Sequence, residues 1–600
     1  MPTPVMGIAD THTHPCSHLG FGGMVWGSPA AWGDQSFEDL SGLTPCDGAT
    51  HGGHLQVFGL DVFLPWLGNT DVTRTVFAGL ETLGGGVHGP DGPPAFLHWP
   101  DFAEGVHQQY HLRYIYRAFK LGNLAVLSAL AVSNRLLSRF MANGSPQSDA
   151  AAVQAQIAAI KALVASVDWM EIAPDPSRIR DINSRGKLAV ILGVEVDQIE
   201  SLVGAPVDAQ KTDWVAPFVD QLVGLGVSQI TPLHLADNAF GGFAVYEDLF
   251  ASSSRDATGA WPAVQLDASI DFKLAWQQLE FVGAPIQVLP ATPTFPPANL
   301  GYDRSVVGSG HRNVRGLTPA GTTLLCELMK RGMLIDIDHM SQDTASAALQ
   351  LAAKFKYPLL SSHTAIRHVA FRDSDPLAWA PSPSIGGAPI RLGPTPSERA
   401  LTDDAVVALA GLGGMLSPGT AGAGNVNLKP DPNAADLPFS QIDVPAGTTI
   451  GWAVTYLEAV RMWRLANAGT PRVGLGTDFT LTPSCGPRFG RRAGARPGLD
   501  IAGPRPAPAP PLLYQGDQGA GQDALPRYAV AVGSPSPTRS YDFNKDGFAH
   551  YGLLPDYLAD LRTIGLTEDQ LSPLLSSGES LTAMWEDCLA ASSSVAAGCP

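Results

Sequence analysis

The feature that most constrains the fold of this chain is a repeated alternation between amphipathic segments and short apolar runs. Apolar runs occupy residues 187–195, 227–234, 332–339 and 357–363, and a helix-like segment precedes each of them. Runs that are apolar on both faces are typical of parallel strands covered by helices on both sides of a sheet. The alternation therefore predicts an α/β fold built on a parallel sheet.

Six strand-like runs, namely these four together with residues 7–14 and 471–478, end in a residue that can ionise. The residues in question are His14, Glu195, His234, His339, His363 and Asp478. In a parallel barrel the carboxyl ends of all strands lie on one face, so residues far apart in sequence meet there. A single histidine at a strand end is more often a hydrogen-bonded structural residue than a ligand. Its recurrence at successive strand ends instead favours a site for zinc or a similar divalent ion.

The pair His12 and His14 strengthens this interpretation. Side chains alternate along a strand with a period of two, so both imidazoles project to the same side. A spacing of this kind is a weak motif by itself, because many surface strands contain it. Combined with the other strand-end residues, it indicates one corner of a metal site assembled from several strands.

Segments rich in glycine and proline interrupt the alternation at residues 15–110, 285–310, 372–398 and 480–545. They are too long for simple connections. The last two directly follow strand ends, which in a barrel lie on the catalytic face, so they are expected to shape a substrate pocket. We therefore expect one barrel over residues 1–600, with residues 15–110 as an insertion after the first strand and the others as insertion loops.

Charge and hydropathy exclude some classes of function. The net charge is -18 and no basic cluster stands out, so a nucleic acid is not an expected partner. The best apolar run, residues 121–132, is shorter than the roughly 20 residues that a bilayer requires. It is interpreted as a core helix, and no transmembrane segment is predicted. The first residues have no signal-peptide pattern, which predicts a cytoplasmic protein for the chain as it stands, or an exported one if a signal preceded it.

The six cysteines are too few for a disulfide scaffold in a chain of 600 residues. Two pairs could form disulfides, Cys588 with Cys599 and Cys16 with Cys46, and either pair would favour an exported protein. None of the six lies in a CxxC pair, which argues against a thiolate zinc site.

Ordered motifs suggest a family. They are residues 10–14 (Asp-Thr-His-Thr-His), 193–195 (Gly-Val-Glu), 316–321, 332–341, 361–363 and 474–479. In this order they resemble the motifs of the membrane (renal) dipeptidase family of the amidohydrolase superfamily. The resemblance implies a (β/α)8 TIM-type barrel with long insertions at the catalytic face, and a metalloprotease with two divalent metal ions, expected to be zinc. The chain differs from the common family pattern in having His-x-His rather than His-x-Asp on its first strand.

The resemblance also implies which residues bind the metals. His12 and His14 match ligands of the first metal. Glu195 matches the carboxylate that bridges the two metals. His339 and His363 match ligands of the second metal.

Three further residues match positions that act on the substrate. Asp478 resembles the acidic residue that transfers a proton during catalysis. His234 resembles the histidine that contacts the reacting group of the substrate. Arg399 resembles the arginine that holds the carboxylate of a dipeptide.

The implied activity is hydrolysis of an amide bond in a small molecule, a dipeptide or an N-acyl amino acid, by a hydroxide that bridges the two metals. A second hypothesis keeps the metal site and assigns it a lactone, an ester or a larger natural product. A third is a barrel protein without catalytic activity. The sequence does not fix the oligomeric state, and a homodimer stays among the expectations.

Overall fold

A computed structural model describes residues 3–21, 112–135, 148–246, 248–270, 272, 310–370, 384–385, 388–389, 391–393, 397–420, 427–429, 449–479, 484–486, 547–563 and 566–599. Most of each predicted insertion, at residues 15–110, 285–310, 372–398 and 480–545, therefore lies outside the described residues. The described part contains every residue predicted for the metal site.

The largest sheet is parallel throughout, in the order β1-β2-β4-β5-β8, with β3 paired to β4. Its strands are β1 (Ile8–Thr13), β2 (Leu124–Ser133), β3 (Met170–Ile172), β4 (Leu188–Val196), β5 (Gln229–Thr231) and β8 (Leu334–Ile335). Strands β1, β2, β4 and β5 are buried along their whole length. Burial on both faces explains why the sequences of β2 and β4 are nearly continuous apolar runs.

A second parallel pair joins β9 (Leu360–Thr364) to β13 (Met415–Pro418). Isolated parallel bridges between Asp336 and Leu360, Leu416 and Val473, and Asp10 and Leu475 extend the same strand direction beyond these sheets. The result is an α/β fold with a curled parallel sheet, as the alternation in the sequence predicts.

The remaining strands pair antiparallel at the periphery. They are β6 (Val264–Asp267) with β7 (Gly310–Asn313), β10 (Ser384–Ile385) with β11 (Ala388–Pro389), and β12 (Arg391–Gly393) with β14 (Asn427–Lys429).

The described helices alternate with the parallel strands and then continue as a C-terminal group. They are α1 (Leu112–Leu121), α2 (Asp149–Ala165), α3 (Pro176–Ser184), α4 (Val215–Gly224), α5 (Asp248–Thr258), α6 (Pro319–Lys330), α7 (Gln342–Phe355), α8 (Arg367–Ala370), α9 (Asp403–Gly411), α10 (Thr449–Leu465), α11 (Leu554–Thr563), α12 (Glu568–Leu575) and α13 (Ser577–Gly598). Within the described ranges, no helix has the length and apolar character needed to span a bilayer.

Local sequence signals place several helix starts. Thr318, Ser341 and Thr402 each accept a hydrogen bond from a backbone N–H in the first turn of α6, α7 and α9, respectively. Such side-chain caps satisfy backbone donors that have no partner within the helix. In α6 the capping residue is followed by Pro319 in the first turn, where proline lacks only an N–H that the helix does not use.

One predicted element is wrong. The apolar run at residues 121–132, interpreted as a core helix, is instead mostly strand β2, which lies between β1 and β4. A strand buried on both faces has no alternation of polar and apolar residues, so periodicity cannot separate it from a buried helix. Strand β2 is fully buried, which is the condition under which the two patterns coincide.

Helix α13 lies against the amino ends of the parallel strands. The backbone carbonyls of Gly7, Gly332 and Pro358, which lie just before β1, β8 and β9, accept hydrogen bonds from it. The donors are the Gly578 N–H, the Trp585 indole and the Cys588 thiol. The opposite edge, where the strands end, is therefore the edge on which the predicted site residues can meet.

The disulfide in the structure is neither of the two pairs suggested by the sequence. Cys599 pairs with Cys326 of α6 across a sequence separation of 273 residues, so the pairing of Cys588 with Cys599 is wrong. Cys588 is buried in α13 and carries a free thiol. Cys16 is also a free thiol among the described residues, whereas its suggested partner Cys46 lies outside them.

Candidate metal centre

The parallel strands bring the predicted residues to one place at their carboxyl ends. Strand β1 carries His12, with His14 directly after it; Glu195 lies near the end of β4, and His363 lies in β9. His234 and His339 follow β5 and β8, and Asp478 follows the segment that bridges to β1. All the predicted site residues are buried: His12, His14, Glu195, His234, His339, His363, Arg399 and Asp478.

The carboxylate of Glu195 lies between two pairs of imidazoles. Its Oε2 atom is 2.9 Å from Nε2 of His12 and 3.3 Å from Nε2 of His14. Its Oε1 atom is 3.3 Å from Nε2 of His339 and 3.8 Å from Nε2 of His363. Each oxygen of one carboxylate therefore faces a different histidine pair.

Ser362 fixes the orientation of one ring in each pair. The Nδ1 atom of His12 lies 2.7 Å from the Ser362 hydroxyl, and Nδ1 of His363 lies 2.9 Å from it. The hydroxyl itself donates to a carboxylate oxygen of Asp336. It therefore accepts from both Nδ1–H groups, which leaves the Nε2 lone pairs of His12 and His363 directed at the centre.

The rings of His14 and His339 are also held at Nδ1. Nδ1 of His14 donates to the backbone carbonyl of Leu130 at 3.1 Å, and Nδ1 of His339 lies 3.3 Å from the hydroxyl of Tyr246. A hydrogen bond at one ring nitrogen sets which nitrogen is left to bind a metal. Here each of these partners engages Nδ1 and leaves Nε2 facing Glu195.

The donor set fits divalent metal ions. His12, His14 and Asp478 offer ligand atoms that all lie within 4.8 Å of one another, and so do Glu195, His339 and His363. The Nε2 atoms within each histidine pair are only 3.1 Å and 2.9 Å apart, as expected for lone pairs directed at a common ion. Glu195 Oε1 is buried and accepts no hydrogen bond from any described residue, which leaves it available for a cation.

A third group, His12, Asp336 and His363, meets the same distance criterion. Asp336 Oδ2, however, lies 3.8 Å from Nδ1 of His12, on the side of the ring turned away from Glu195. We therefore assign Asp336 to the support of the rings through Ser362 rather than to the ligand set.

The electrostatics favour the ligating forms around Glu195. Burial opposes ionisation of Glu195, but the surrounding imidazoles of His12, His234 and His339 outweigh burial and hold the pKa of Glu195 well below the usual value. Burial, with a contribution from Arg399, holds the pKa values of His339 and His363 well below their usual value. An ionised carboxylate and neutral imidazoles are the forms that bind a metal.

His14 differs from His339 and His363 in the direction of its pKa shift. Burial opposes its protonation, but hydrogen bonds and charges of Asp478 and Glu195 outweigh burial and raise its pKa to about 9. Its Nε2 atom is 3.1 Å from Asp478 Oδ1 and 3.3 Å from Glu195 Oε2. A divalent cation among these three groups would take the place of that proton, since metal binding to histidine releases protons.

The backbone is strained at two of the predicted residues. Asp478 has a φ of 52° and His339 has a φ of 62°. Both values lie in the left-handed region of the backbone, which residues other than glycine rarely adopt. The N–H of Asp478 donates to the carbonyl of His12, which ties the turn to β1. Strain of this kind persists where surrounding contacts hold it, and it concentrates at functional sites.

Arg399 lies at the edge of the cluster with its guanidinium buried. It donates to Thr364 Oγ1 at 3.0 Å and to the carbonyl of His363 at 3.2 Å, and it lies 3.6 Å from a carboxylate oxygen of Asp338. Its Nε atom has no hydrogen-bond partner among the described residues. The structure thus brings Arg399 to the site, and some of the N–H groups of its guanidinium already donate hydrogen bonds to the protein.

Five residues that support the site escape a search for strand-end ligands. They are Asp197, Tyr246, Asp336, Asp338 and Ser362. Asp336 and Asp338 lie three residues and one residue before His339, respectively, and Ser362 lies beside His363. Their position next to predicted ligands is the one sequence signal that could have identified them.

A family match agrees with these observations. The model of the membrane dipeptidase family (peptidase family M19) matches residues 302–374, the segment that contains His339, His363 and Ser362. No curated protein matches the chain significantly.

Three solved structures are among those similar to the chain. A metallopeptidase from Rhodobacter sphaeroides, bound to a phosphinate mimic of the dipeptide L-Ala-D-Ala, is 13% identical, covers 80% of this chain and 90% of its own, and gives a TM-score of 0.40. A family M19 dipeptidase is 12% identical over 80% and 90% of the chains, with a TM-score of 0.39. A probable dipeptidase from Pseudomonas aeruginosa is 14% identical over 81% and 90%, with a TM-score of 0.36.

Proposed function

We propose that this metal-dependent hydrolase binds two divalent ions and hydrolyses an amide bond. Its resemblance to the membrane dipeptidases is confirmed over residues 302–374. The substrate class is a dipeptide or an N-acyl amino acid. His12 and His14 would hold one ion, His339 and His363 would hold the other, and Glu195 would be shared between the two sites. Zinc is the expected metal because the set combines imidazoles with a carboxylate.

The observation that carries this proposal is the position of Glu195. One oxygen lies 2.9 Å and 3.3 Å from one histidine pair, and the other lies 3.3 Å and 3.8 Å from the second pair. A site for a single ion would not need a carboxylate placed between two pairs. The arrangement therefore favours a two-metal hydrolase.

The ions supply Lewis-acid activation of water and of the scissile carbonyl when they are bound. Asp478 accepts the proton that the attacking water loses and returns it to the leaving nitrogen. Its position beside His14, with burial opposed by the neighbouring imidazoles, holds its pKa below the usual value and keeps it ready as a base. His234 donates a hydrogen bond from Nε2 to the oxygen that becomes negative.

The fold supports the same proposal at larger scale. The parallel strands close into an eight-stranded barrel of β1, β2, β4, β5, β8, β9, β13 and residues 473–476. The bridges from Asp336 to Leu360, from Leu416 to Val473 and from Leu475 to Asp10 support this closure, since they connect the two parallel sheets and return to β1. A barrel places all strand ends on one face, where catalytic residues of such enzymes lie.

Replacing Glu195 by Gln tests the metal site. We expect the variant to lose at least one of two bound metal equivalents, measured by elemental analysis of the purified protein. We expect its kcat/KM to fall by more than the roughly 100-fold that loss of an outer-sphere partner can cause. Glu200→Gln is a matched control, because this glutamate is also buried but bonds to the Ala239 N–H rather than to the histidines. Two metals and full turnover in the Glu195→Gln variant would refute the proposal.

A second candidate keeps the metals and replaces the dipeptide with a lactone, an ester or a larger amide that has no free carboxylate. One observation favours considering it: both Nη atoms of Arg399 already donate to the protein. These contacts use one N–H on each Nη, which leaves fewer donors for the two parallel hydrogen bonds through which arginine best binds a carboxylate.

Matched substrates separate the two candidates. A panel would compare dipeptides with their C-terminal amides, N-acyl amino acids with N-acyl amines, and lactones. If Arg399 binds a carboxylate through its Nε edge, the acids will be hydrolysed faster than the amides, and Arg399→Lys will remove this preference. Turnover of lactones or esters, with none of the dipeptides, would establish the second candidate and leave the metal site standing.

A further inference from the structure

A buried carboxylate holds His234 from the side opposite the metal centre. Asp197 Oδ1 accepts a hydrogen bond from His234 Nδ1 at 2.9 Å and a second from the Leu235 N–H at 3.0 Å. Asp197 and His234 are each only 1% exposed, so water does not compete for these contacts. A charged acceptor in such a setting makes a stronger hydrogen bond than a neutral one.

The carboxylate is itself held in place. Asp197 Oδ2 accepts from the side-chain amide of Asn134 at 2.9 Å. The carbonyl oxygen of that amide accepts from the hydroxyl of Ser253 in α5 at 3.2 Å. Asn134 directly follows β2, so the chain of contacts joins the ends of β2, β4 and β5 to α5.

The period of β4 explains how one strand serves both parts of the site. Glu195 and Asp197 are two residues apart at the end of β4, so their side chains project to the same side. Glu195 lies between the histidine pairs, while Asp197 reaches the back of the His234 ring. The Nε2 atom of the same ring lies 3.9 Å from Glu195 Oε2.

We propose that Asp197 is a positioning residue that fixes the orientation of the His234 ring, so that Nε2 points at the space beside Glu195 where the substrate carbonyl reacts. This inference rests on the proposed function, which assigns the substrate contact to His234. With Nδ1–H held by Asp197, Nε2 is the nitrogen turned towards the substrate, and the carboxylate also stabilises the doubly protonated ring whose Nε2–H donates to the developing oxyanion. Asp197 contacts none of the four histidines assigned to the metals, so its effect on the reaction passes through His234.

A purely structural role is the alternative, because the bond from the Leu235 N–H could simply hold the turn after β5. The two roles differ in what Asp197→Ala and Asp197→Asn do. If Asp197 positions His234, Asp197→Ala will lower kcat by about 10- to 100-fold, which is the usual effect of removing a residue that holds a site histidine from outside the site. KM and the amount of bound metal will change little. The kcat of Asp197→Asn will fall less than that of Asp197→Ala, because the amide oxygen of the asparagine still accepts a hydrogen bond from His234 Nδ1–H.

A double-mutant cycle with His234→Ala gives the decisive comparison. If Asp197 acts through His234, adding Asp197→Ala to His234→Ala will lower kcat no further. Equal losses from Asp197→Ala in both backgrounds, or loss of metal from the single variant, would overturn the proposal. Asp149→Asn is the matched control, since this buried carboxylate binds Ser133 and Gln198 rather than His234. We expect it to leave the cycle unchanged.

A spectroscopic measurement separates this inference from the proposed function. In protein labelled with ¹⁵N-histidine, the Nδ1–H of His234 should give a protected, strongly hydrogen-bonded proton signal that disappears in His234→Ala and in Asp197→Ala. This signal does not depend on any substrate. Its presence together with failure of the substrate panel would count against the proposed function alone, and its absence in the wild-type protein would overturn the role of Asp197.

Discussion

At the scale of single residues, the histidine tautomers decide what the site can bind. Each imidazole can offer only one nitrogen to a metal while the other carries a proton. The Ser362 hydroxyl contacts Nδ1 of both His12 and His363, and it donates its own hydrogen bond to Asp336. One hydroxyl therefore orients a ring on each side of Glu195, and its removal should affect both halves of the centre.

We expect Ser362→Ala to weaken metal binding about 10- to 100-fold, the usual effect of losing an outer partner of a histidine ligand. The measurement is competition for zinc with a chelator of known affinity. Ser417→Ala is a matched control, because Ser417 is buried on the adjacent strand β13 and its hydroxyl has no hydrogen-bond partner among the described residues. Equal zinc affinity in the two variants would contradict the role assigned to Ser362.

Residue identity and strand position were enough to predict which side chains meet, but not how they are held. His12, Glu195 and His363 lie on strands, and the period of two with the common strand direction places them on one face. Asp197, directly after β4, and Tyr246, outside the helices and strands, instead contact rings from other parts of the chain, and no local pattern encodes these pairings. Their roles depend on tertiary packing, which sequence periodicity does not determine.

At the scale of elements, the helices that alternate with strands were predictable where capping and periodicity agree. Thr318 with Pro319 marks the start of α6, and Thr402 marks that of α9. Strand β2 was not predictable, because burial on both faces removes the alternation that distinguishes strand from helix. The disulfide was not predictable either, since Cys326 and Cys599 are far apart in sequence and their proximity follows from the packing of α6 against α13.

The connection after β4 contains a buried carboxyl group, that of Glu200. Glu200 lies in the short 3₁₀ helix Ile199–Val203; its Oε1 accepts from the Ala239 N–H, and its Oε2 has no hydrogen-bond partner among the described residues. Burial raises its pKa from 4.5 to about 7. Above about pH 4.5 the unfolded chain releases this proton while the folded protein keeps it, so the stability contribution is full below pH 4.5 and is lost as pH rises through 7.

We therefore expect Glu200→Gln, which stays neutral, to gain stability relative to the wild type between pH 5 and pH 8. The gain should reach at most about 3 kcal/mol, from about 1.4 kcal/mol per unit of pKa difference. Urea unfolding of both proteins at the two pH values measures it, because other titrating groups cancel in the difference. Glu171→Gln is the control: Glu171 is partly exposed, and Arg185 and Lys187 hold its pKa at about 2. A pH-independent difference for Glu200→Gln would contradict the assignment.

At the scale of the whole molecule, the two ends of the parallel strands have separate roles. Helix α13 lies against the strand starts, where it bonds to the carbonyls of Gly7, Gly332 and Pro358. The candidate metal centre lies at the opposite ends of the strands. Contacts at the start of the strands should therefore stabilise the fold without altering the chemistry, as in barrels generally.

The disulfide tests this separation, because it fastens the end of α13 to α6. A cross-link between residues 273 positions apart restricts the unfolded chain strongly, so Cys599→Ser should lower the free energy of unfolding by about 2–4 kcal/mol. Urea unfolding without reductant measures the loss. Metal content and kcat should stay unchanged, since Cys326 and Cys599 lie on helical elements away from the strand ends.

Cys588→Ala is the matched control, since it removes a buried thiol from the same helix without breaking a disulfide. Reductant should lower the stability of the wild type and of Cys588→Ala to a similar extent, and it should leave Cys599→Ser unaffected. Structural disulfides are rare in reducing compartments, so formation of this bond in the purified protein would favour an exported protein over a cytoplasmic one. A wild-type protein whose unfolding does not respond to reductant would show that α13 is held by packing alone.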